Sequence, residues 1–175
     1  MYFQFINTQS NKIHMRKLYI SPAWLMIVVL FACHAGKKIN PGTVGLVPLN
    51  NYFVKNTVPL PEPVNYMFFT RQVDFDNHFG AAKTANNTIV TPDFSGQMVV
   101  AVALSPTANK TTLQFDKAEI GGPELNVYYS QTEQGGEQTF RQAPCAVATV
   151  PKSLSVKRLN FYNQGNKVKS FDVKF

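Results

Sequence analysis

The chain has 175 residues, of which 45% are hydrophobic, 13% aromatic and 15% charged. This length suits one domain with short extensions, and this share of apolar residues excludes a disordered chain. The formal net charge of +7 is compatible with nucleic-acid binding, but the basic residues are scattered and form no continuous stripe that could follow a phosphate backbone. We therefore expect no nucleic-acid partner.

The N-terminal segment predicts an export signal. Arg16 and Lys17 precede the uninterrupted apolar run 24–31, which is the order of charged and apolar regions in a signal peptide. The run is shorter than the roughly 20 residues that a helix needs to cross a bilayer. Residues 1–32 are the predicted signal-peptide region and are absent from the predicted mature protein. Because Met15 begins a conventional signal, we expect translation to start there.

The end of this run, Leu30-Phe31-Ala32-Cys33, resembles the bacterial lipobox. In that pattern a leucine and a small residue precede the cysteine that receives diacylglycerol, and Phe31 is bulkier than the usual residue at its position. The resemblance implies that Cys33 carries the acyl chains, such as palmitate, that anchor the protein to a membrane. Each buried methylene of such chains contributes about 0.8 kcal/mol, so several chains hold a domain at a bilayer.

Residues 34–38 follow this cysteine without an acidic side chain. In many bacterial lipoproteins an acidic stretch here directs the protein to the cell surface, so its absence favours a periplasm-facing anchor in the outer membrane. Removal of the signal also removes Lys12, Arg16 and Lys17, which leaves fourteen basic and ten acidic side chains, a net charge of +4. The predicted mature protein is therefore weakly basic.

The mature chain is predicted to consist of a tether and one domain. Residues 33–49 are rich in Gly, Pro, Lys and Asn and predict a flexible tether. Residues 50–175 predict a single β-rich domain. A first strand is expected at 51–58, and the proline series that follows it forbids regular structure because proline lacks an amide hydrogen.

One short helix is predicted near 71–79. Phe75 and Phe79 are four residues apart and therefore lie on one face of such a helix. Thr70 is the candidate N-terminal cap, and Gly80 stands where a C-terminal cap is expected.

The rest of the domain is predicted to be β. The run 97–104 is apolar almost throughout and has the length of a strand, which is typical of a central strand covered on both faces. Gly135-Gly136 predicts a hairpin turn. Further strands, separated by turn signals, are predicted at 111–120, 125–131, 139–150, 155–162 and 168–175. About seven strands indicate an antiparallel β-sandwich or open barrel.

The sequence carries little catalytic equipment. His78 and Asp93 are the candidates for an envelope hydrolase, but no nucleophile motif accompanies them. No paired His or Cys spacing indicates a metal site, and no cofactor motif is present. Cys145 has no disulfide partner once Cys33 is lipidated, and its apolar setting predicts a buried thiol. We therefore expect a protein that is not an enzyme.

Surface aromatic residues are the remaining candidates for binding. Tyr128, Tyr129 and Tyr162 are the predicted binding residues, because tyrosine rings offer a large contact area at low entropic cost. Aromatic residues on alternate strand positions also fill cores, so a structural role for them stays open.

Residues 93–102, Asp-Phe-Ser-Gly-Gln-Met-Val-Val-Ala-Val, resemble the strand that opens the conserved domain of PrcB-like lipoproteins, the protease complex subunit family. The segments 74–80 and 144–152 are similar too, so the resemblance covers about residues 70–155. It implies a partner-binding domain without catalytic activity that associates with a protease. The turn after this strand, Ser105–Thr111, lacks the Thr-Gly-Gly-Tyr element of that family, which puts protease inhibition in doubt.

These observations lead to two main hypotheses. The first is a lipid-anchored β domain that binds a protein of the cell envelope, with a protease as the candidate partner. The alternative is a glycan-binding lipoprotein of a nutrient-uptake system that uses the tyrosines.

Overall fold

A computed structural model of the chain describes residues 42–153 and 155–175. The predicted signal peptide, Cys33 and most of the predicted tether lie outside these residues. Within them, no helix is long and apolar enough to cross a membrane.

The described residues form eleven strands and one short helix. In chain order these are β1 (Gly42–Val44), β2 (Val47–Pro48), β3 (Tyr52–Val54), β4 (Val64–Phe69), α1 (Gln72–His78), β5 (Phe79–Ala81), β6 (Gln97–Leu104), β7 (Thr107–Gly121), β8 (Glu124–Gln142), β9 (Cys145–Pro151), β10 (Arg158–Asn163) and β11 (Asn166–Asp172). The prediction of a mainly β protein with one short helix is confirmed.

The strands make two large sheets and one small one. The five-stranded sheet has the order β1-β7-β8-β10-β11, the four-stranded sheet has the order β2-β9-β6-β4, and β3 pairs with β5. Side chains from both large sheets share one buried core, for example Val100 and Val102 with Leu125, Val127 and Phe161. This packing is that of a β-sandwich rather than a closed barrel. One pairing departs from the antiparallel prediction, since β10 runs parallel to β8.

The two large sheets are linked along one side by strands that pass from one sheet to the other. β6 ends at Leu104 and β7 starts at Thr107, while β8 ends at Gln142 and β9 starts at Cys145. These strands form one long bent hairpin whose halves belong to different sheets, a corner of the kind that joins packed sheets. β1 and β2 make the same crossing. On the other side, the sheets end in β4 and β11.

Strand β6 is the centre of the four-stranded sheet, as its apolar run predicts. Its side chains alternate between two cores because successive residues of a strand point to opposite faces. Met98, Val100 and Val102 face the sandwich core, whereas Val99 and Ala101 face a second core. That second core is covered by α1 and the segments around β3 and β5.

The helix occupies 72–78, within the predicted range, but its ends differ from the prediction. Thr70 is not the cap: the capping position is Arg71, whose guanidinium pairs with Asp74 at 2.7 Å instead of bonding the backbone. Gly80 is not the C-terminal cap, because the chain extends at Phe79 and enters β5 directly. Gly80 instead lies against the ring of Phe53, where the absence of a side chain leaves room for the ring.

Two further predictions need correction. Part of the predicted tether 33–49 belongs to the fold, because 42–44 and 47–48 are strands and Leu49 is buried. Gly135-Gly136 is not a hairpin turn but lies inside β8. Here the neighbouring β7 residues Lys110 and Asn109 pair with Gln134 and Glu137, so the two glycines have no partner on β7. The two glycines therefore form part of a bulge, which bends a strand without reversing it. The strands predicted at 155–162 and 168–175 are found as β10 and β11, which form an antiparallel hairpin with a turn at Gln164 and Gly165.

Candidate binding surface on the five-stranded sheet

The outer face of the five-stranded sheet brings together two of the three predicted binding tyrosines. Tyr128 on β8 lies directly opposite Tyr162 on β10 in the parallel register. Their ring centroids are 4.8 Å apart and the ring planes differ by 24°, so the rings stack. Both residues are half-buried, which leaves part of each ring in contact with solvent. The stacked pair is a rigid aromatic feature on an ordered sheet.

Lys117 extends this pair into a row across three neighbouring strands. It lies opposite Tyr128 on β7, and its Nζ atom is 4.5 Å from the centre of the Tyr128 ring. Because β8 lies between β7 and β10, Lys117 and Tyr162 flank Tyr128 from opposite sides. In a cation–π contact of this kind, the negative face of the ring attracts the ammonium group.

Glu119 connects Lys117 and Tyr128 by hydrogen bonds. The Lys117 ammonium donates to Glu119 Oε1 at 2.7 Å, and the Tyr128 hydroxyl donates to the same carboxylate. The bond to Glu119 raises the pKa of Lys117, and the bond from Lys117 lowers the pKa of Glu119. Partial burial, followed by its bond to Glu119, raises the pKa of Tyr128. All three side chains therefore keep their ordinary charge states near neutral pH.

A second row beside the tyrosines consists of polar side chains. Asn160 is completely buried although it lies on the outer face. Its amide donates to Asn126 Oδ1 at 2.9 Å and to Glu124 Oε2 at 3.2 Å, and its Oδ1 accepts from Ser170 at 2.7 Å. These bonds join β8, β10 and β11 through side chains, which adds rigidity under the exposed surface.

Tyr129, the third predicted binding residue, lies on the opposite face of the sheet. It follows Tyr128 in the strand, so its side chain points into the core and is 2% exposed. Its hydroxyl oxygen is 2.8 Å from that of Tyr66 on β4. Burial is the main reason why the pKa of Tyr129 is raised far above its ordinary value. The binding surface is therefore defined by Lys117, Tyr128 and Tyr162, without Tyr129.

The candidate catalytic residues have local partners. His78 Nδ1 is 2.8 Å from the carbonyl oxygen of Asp74 one helical turn earlier, and its ring packs on Phe69. Asp93 accepts bonds from the amide and hydroxyl of Ser95, which lower the pKa of Asp93. Both arrangements are common at helix ends and turns. In the described part of the chain, no group of three potential ligands could hold a metal ion.

Cys145 is a free thiol at the start of β9. Its Sγ donates to the carbonyl oxygen of Tyr52 at 3.5 Å, and burial raises the pKa of the thiol to about 11. Since the thiolate is the reactive form, this residue is expected to be inert at neutral pH.

Comparison with known proteins adds no relative: the chain matches no protein-family model, no curated protein and no solved structure. The resemblance to PrcB-like lipoproteins stays a prediction that depends on the short segments between residues 70 and 155.

Sequence reasoning did not single out Lys117, Glu119 or Asn160. The spacing of Lys117 and Glu119, two apart in a strand, is a signal that both lie on one face. No comparable signal identifies Asn160, because two of its partners, Glu124 and Asn126, come from a strand that pairs in parallel with β10 at a distance along the chain.

Proposed function

We propose that this protein is a non-catalytic binding domain that is anchored by lipid to the bacterial outer membrane and binds a protein of the envelope. The row Lys117-Tyr128-Tyr162 carries this proposal. A stacked tyrosine pair on a rigid sheet loses little entropy on binding, and tyrosine is enriched among the residues that dominate protein interfaces.

The neighbouring charges also suit a protein partner. Arg158 lies between Glu124 and Asp172 at 3.5 and 3.6 Å, and Lys117 is bonded to Glu119. Charges of both signs therefore lie on the same face of the sheet as the tyrosines, which resembles the polar rim of a protein interface more than the single-signed field that binds an anion.

The glycan-binding alternative is supported less well. A sugar stacks on the open face of an aromatic ring, but Lys117 and Tyr162 stand on the two sides of Tyr128. A sugar could contact Tyr128 in this way only after one of these neighbours moved. A protein partner can instead contact the exposed ring edges and hydroxyl groups.

The proposed anchor would keep this surface near the membrane. If Cys33 carries lipid, the eight residues 34–41 connect it to β1, and eight residues span at most about 29 Å. The domain would then reach only partners close to its own bilayer. The resemblance to protease complex subunits makes an envelope protease the candidate partner.

Site-specific photo-crosslinking in cells tests the protein-binding proposal. A photoreactive amino acid replaces Tyr162, or Val73 on the exposed side of α1 as a matched control at an apolar surface position that is 56% exposed. We expect one defined crosslinked protein from position 162 and none from position 73, with the product lost in Tyr128→Ser. Equal products from both positions would contradict the proposal, and quenching of tyrosine fluorescence by envelope saccharides would favour the glycan-binding alternative.

Metabolic labelling tests the anchor separately. Cells that are given labelled palmitate should incorporate it into the wild-type protein and not into Cys33→Ser, which should also leave the membrane fraction. Incorporation that persists in Cys33→Ser would contradict lipidation at this residue.

A further inference from the structure

The side of the sandwich opposite the bent hairpin has two free edges. Among the described residues, β4 pairs with β6 alone and β11 pairs with β10 alone. Aromatic contacts hold these edge strands near each other, since Phe68 on β4 packs on Phe171 on β11 with ring centroids 5.4 Å apart. The chain itself does not bridge the sheets here within the described residues.

The two edges differ in how well they resist pairing with another strand. β11 carries Lys167 and Lys169, and its register shifts opposite Phe161 and Tyr162. Lysines and bulges are the devices by which natural edge strands avoid pairing. β4, Val-Asn-Tyr-Met-Phe-Phe, contains neither a charge nor a proline and pairs regularly along its six residues. Its edge is therefore open to a further strand.

The hydrogen-bond pattern identifies the free backbone groups of β4. The amide of Ser105 donates to Pro63, and the amide of Leu104 donates away from β4, to Pro144. Since antiparallel bonds alternate along a strand, the odd-numbered residues of β4 bond to β6 and the even-numbered residues face outward. The amides and carbonyl groups of Val64, Tyr66 and Phe68 therefore point away from the sheet.

A groove of about 270 Å³ runs along this edge. Four consecutive residues of β4, 64–67, line it, and Val58, Pro59 and Leu60 of the preceding segment border the same space. Met67 and His78 border it on the side of α1, and Tyr66, Lys169 and Phe171 on the side of the sandwich core. Glu62, two residues before β4, is the carboxylate that borders the groove.

Of the two charged residues Glu62 and Lys169 that border the groove, Lys169 on β11 indicates what an added strand should carry opposite it. Lys169 Nζ lies 5.5 Å from the centre of the Phe171 ring, and within the described residues this ammonium group makes no salt bridge. A carboxylate of an added strand would complement Lys169, whereas a basic side chain there would be repelled.

We propose that the edge of β4 binds an extended segment of a partner protein by β-strand addition, and that this segment carries alternating apolar side chains and a carboxylate that pairs with Lys169. The backbone bonds to Val64, Tyr66 and Phe68 supply affinity, and the groove selects the side chains. This site is separate from the tyrosine row and does not depend on it.

Amide hydrogen exchange of the full-length protein in mild detergent is the first test. The amides of Tyr66 and Phe68 should exchange rapidly, and those of Asn65, Met67 and Phe69 slowly. Slow exchange at all of these positions would overturn the proposal, because the edge would then already be paired, by another part of the chain or by a second copy.

The second test uses a defined peptide as the probe: eight residues that alternate valine and threonine around one central aspartate. We expect saturable binding by calorimetry and slowed exchange at Tyr66 and Phe68. Methylation of alternate peptide nitrogens should weaken binding at least about tenfold, because pairing amides are lost. Absence of binding at millimolar peptide concentration, or an affinity that is the same with and without the methyl groups, would overturn the proposal.

Variants then locate the site. Val64→Pro removes an outward-facing amide without touching the bonds to β6, and it should abolish peptide binding. Val64→Ala is the matched control, since it loses side-chain volume but keeps the amide, and it should bind. Lys169→Glu should favour a peptide with lysine in place of aspartate, and Tyr128→Ser should bind like wild type. Equal binding by Val64→Pro and Val64→Ala, or an unchanged peptide preference in Lys169→Glu, would overturn the assignment to this edge.

Discussion

The hydroxyl oxygens of Tyr66 and Tyr129 lie 2.8 Å apart and join the two large sheets through the core. Tyr66 belongs to β4 and Tyr129 to β8, and their rings meet edge to face at 6.0 Å. This hydrogen bond is a polar contact in a largely apolar core, and it satisfies part of the hydrogen-bonding capacity of each hydroxyl.

We expect Tyr129→Phe to lower the free energy of unfolding by about 1–3 kcal/mol, because the Tyr66 hydroxyl is left without this partner. The double variant Tyr66→Phe/Tyr129→Phe should lose less than the sum of the two single changes. Urea unfolding followed by fluorescence measures these values. Tyr162→Phe, on the outer face, is the control and should change stability by less than about 0.5 kcal/mol. Additive losses in the double variant would contradict the coupling.

Asn160 should be important for stability although it is polar. Asn160→Ala removes a completely buried amide, with both its donor bonds and its acceptor, and leaves Asn126 and Ser170 with fewer partners. We expect a loss of about 1–3 kcal/mol in urea unfolding. Asn56→Ala, at an exposed loop position, is the control with the same chemical change and should be nearly neutral. A neutral Asn160→Ala would show that water replaces the network.

The contact between Gly80 and Phe53 predicts a steric effect. A Cβ atom at position 80 would lie 2.5 Å from Phe53 Cζ, so Gly80→Ala must displace the ring. Because Phe53 is 47% exposed and can move, we expect a loss of about 1 kcal/mol rather than unfolding. The loss should shrink in Gly80→Ala/Phe53→Ala. Gly45→Ala is the matched control, since no atom lies within 4 Å of the added carbon, and a loss there of the same size would contradict the steric cause.

The Cys145 thiol predicts a dependence of stability on pH. Its pKa is about 11 in the folded protein and 9.0 for an unperturbed thiol. Below pH 9 both states keep the proton, and between these values the unfolded chain releases it first, so folding stability falls as pH rises through this window. We expect urea midpoints that are flat up to about pH 9 and then decline more steeply in wild type than in Cys145→Ala. Parallel curves would contradict the prediction.

Patterns that are local in the chain predicted the matching parts of the fold. The apolar run 98–104 of β6 predicts a strand that is covered on both faces, because all of its side chains are apolar and are more stable away from water. Phe75 and Phe79 indicated the helix in the same way, and Gln164-Gly165 adopts the backbone that a tight hairpin requires. The predicted cap at Gly80 is wrong because the tertiary pairing of β3 with β5 draws the chain into a strand directly after the helix. The predicted cap at Thr70 is wrong because the helix starts one residue later, with Arg71 at the capping position.

The sequence by itself therefore determined that the protein is mainly β, with one short helix and a core strand at 97–104. The tertiary structure alone decided which side chains share a surface. Tyr128 and Tyr162 stack because β8 and β10 pair in parallel, and Tyr129 is buried because that register turns it inward. Register depends on contacts between distant segments, so neither composition nor spacing contains it. The open edge of β4 follows from the same kind of pairing, which no single segment specifies.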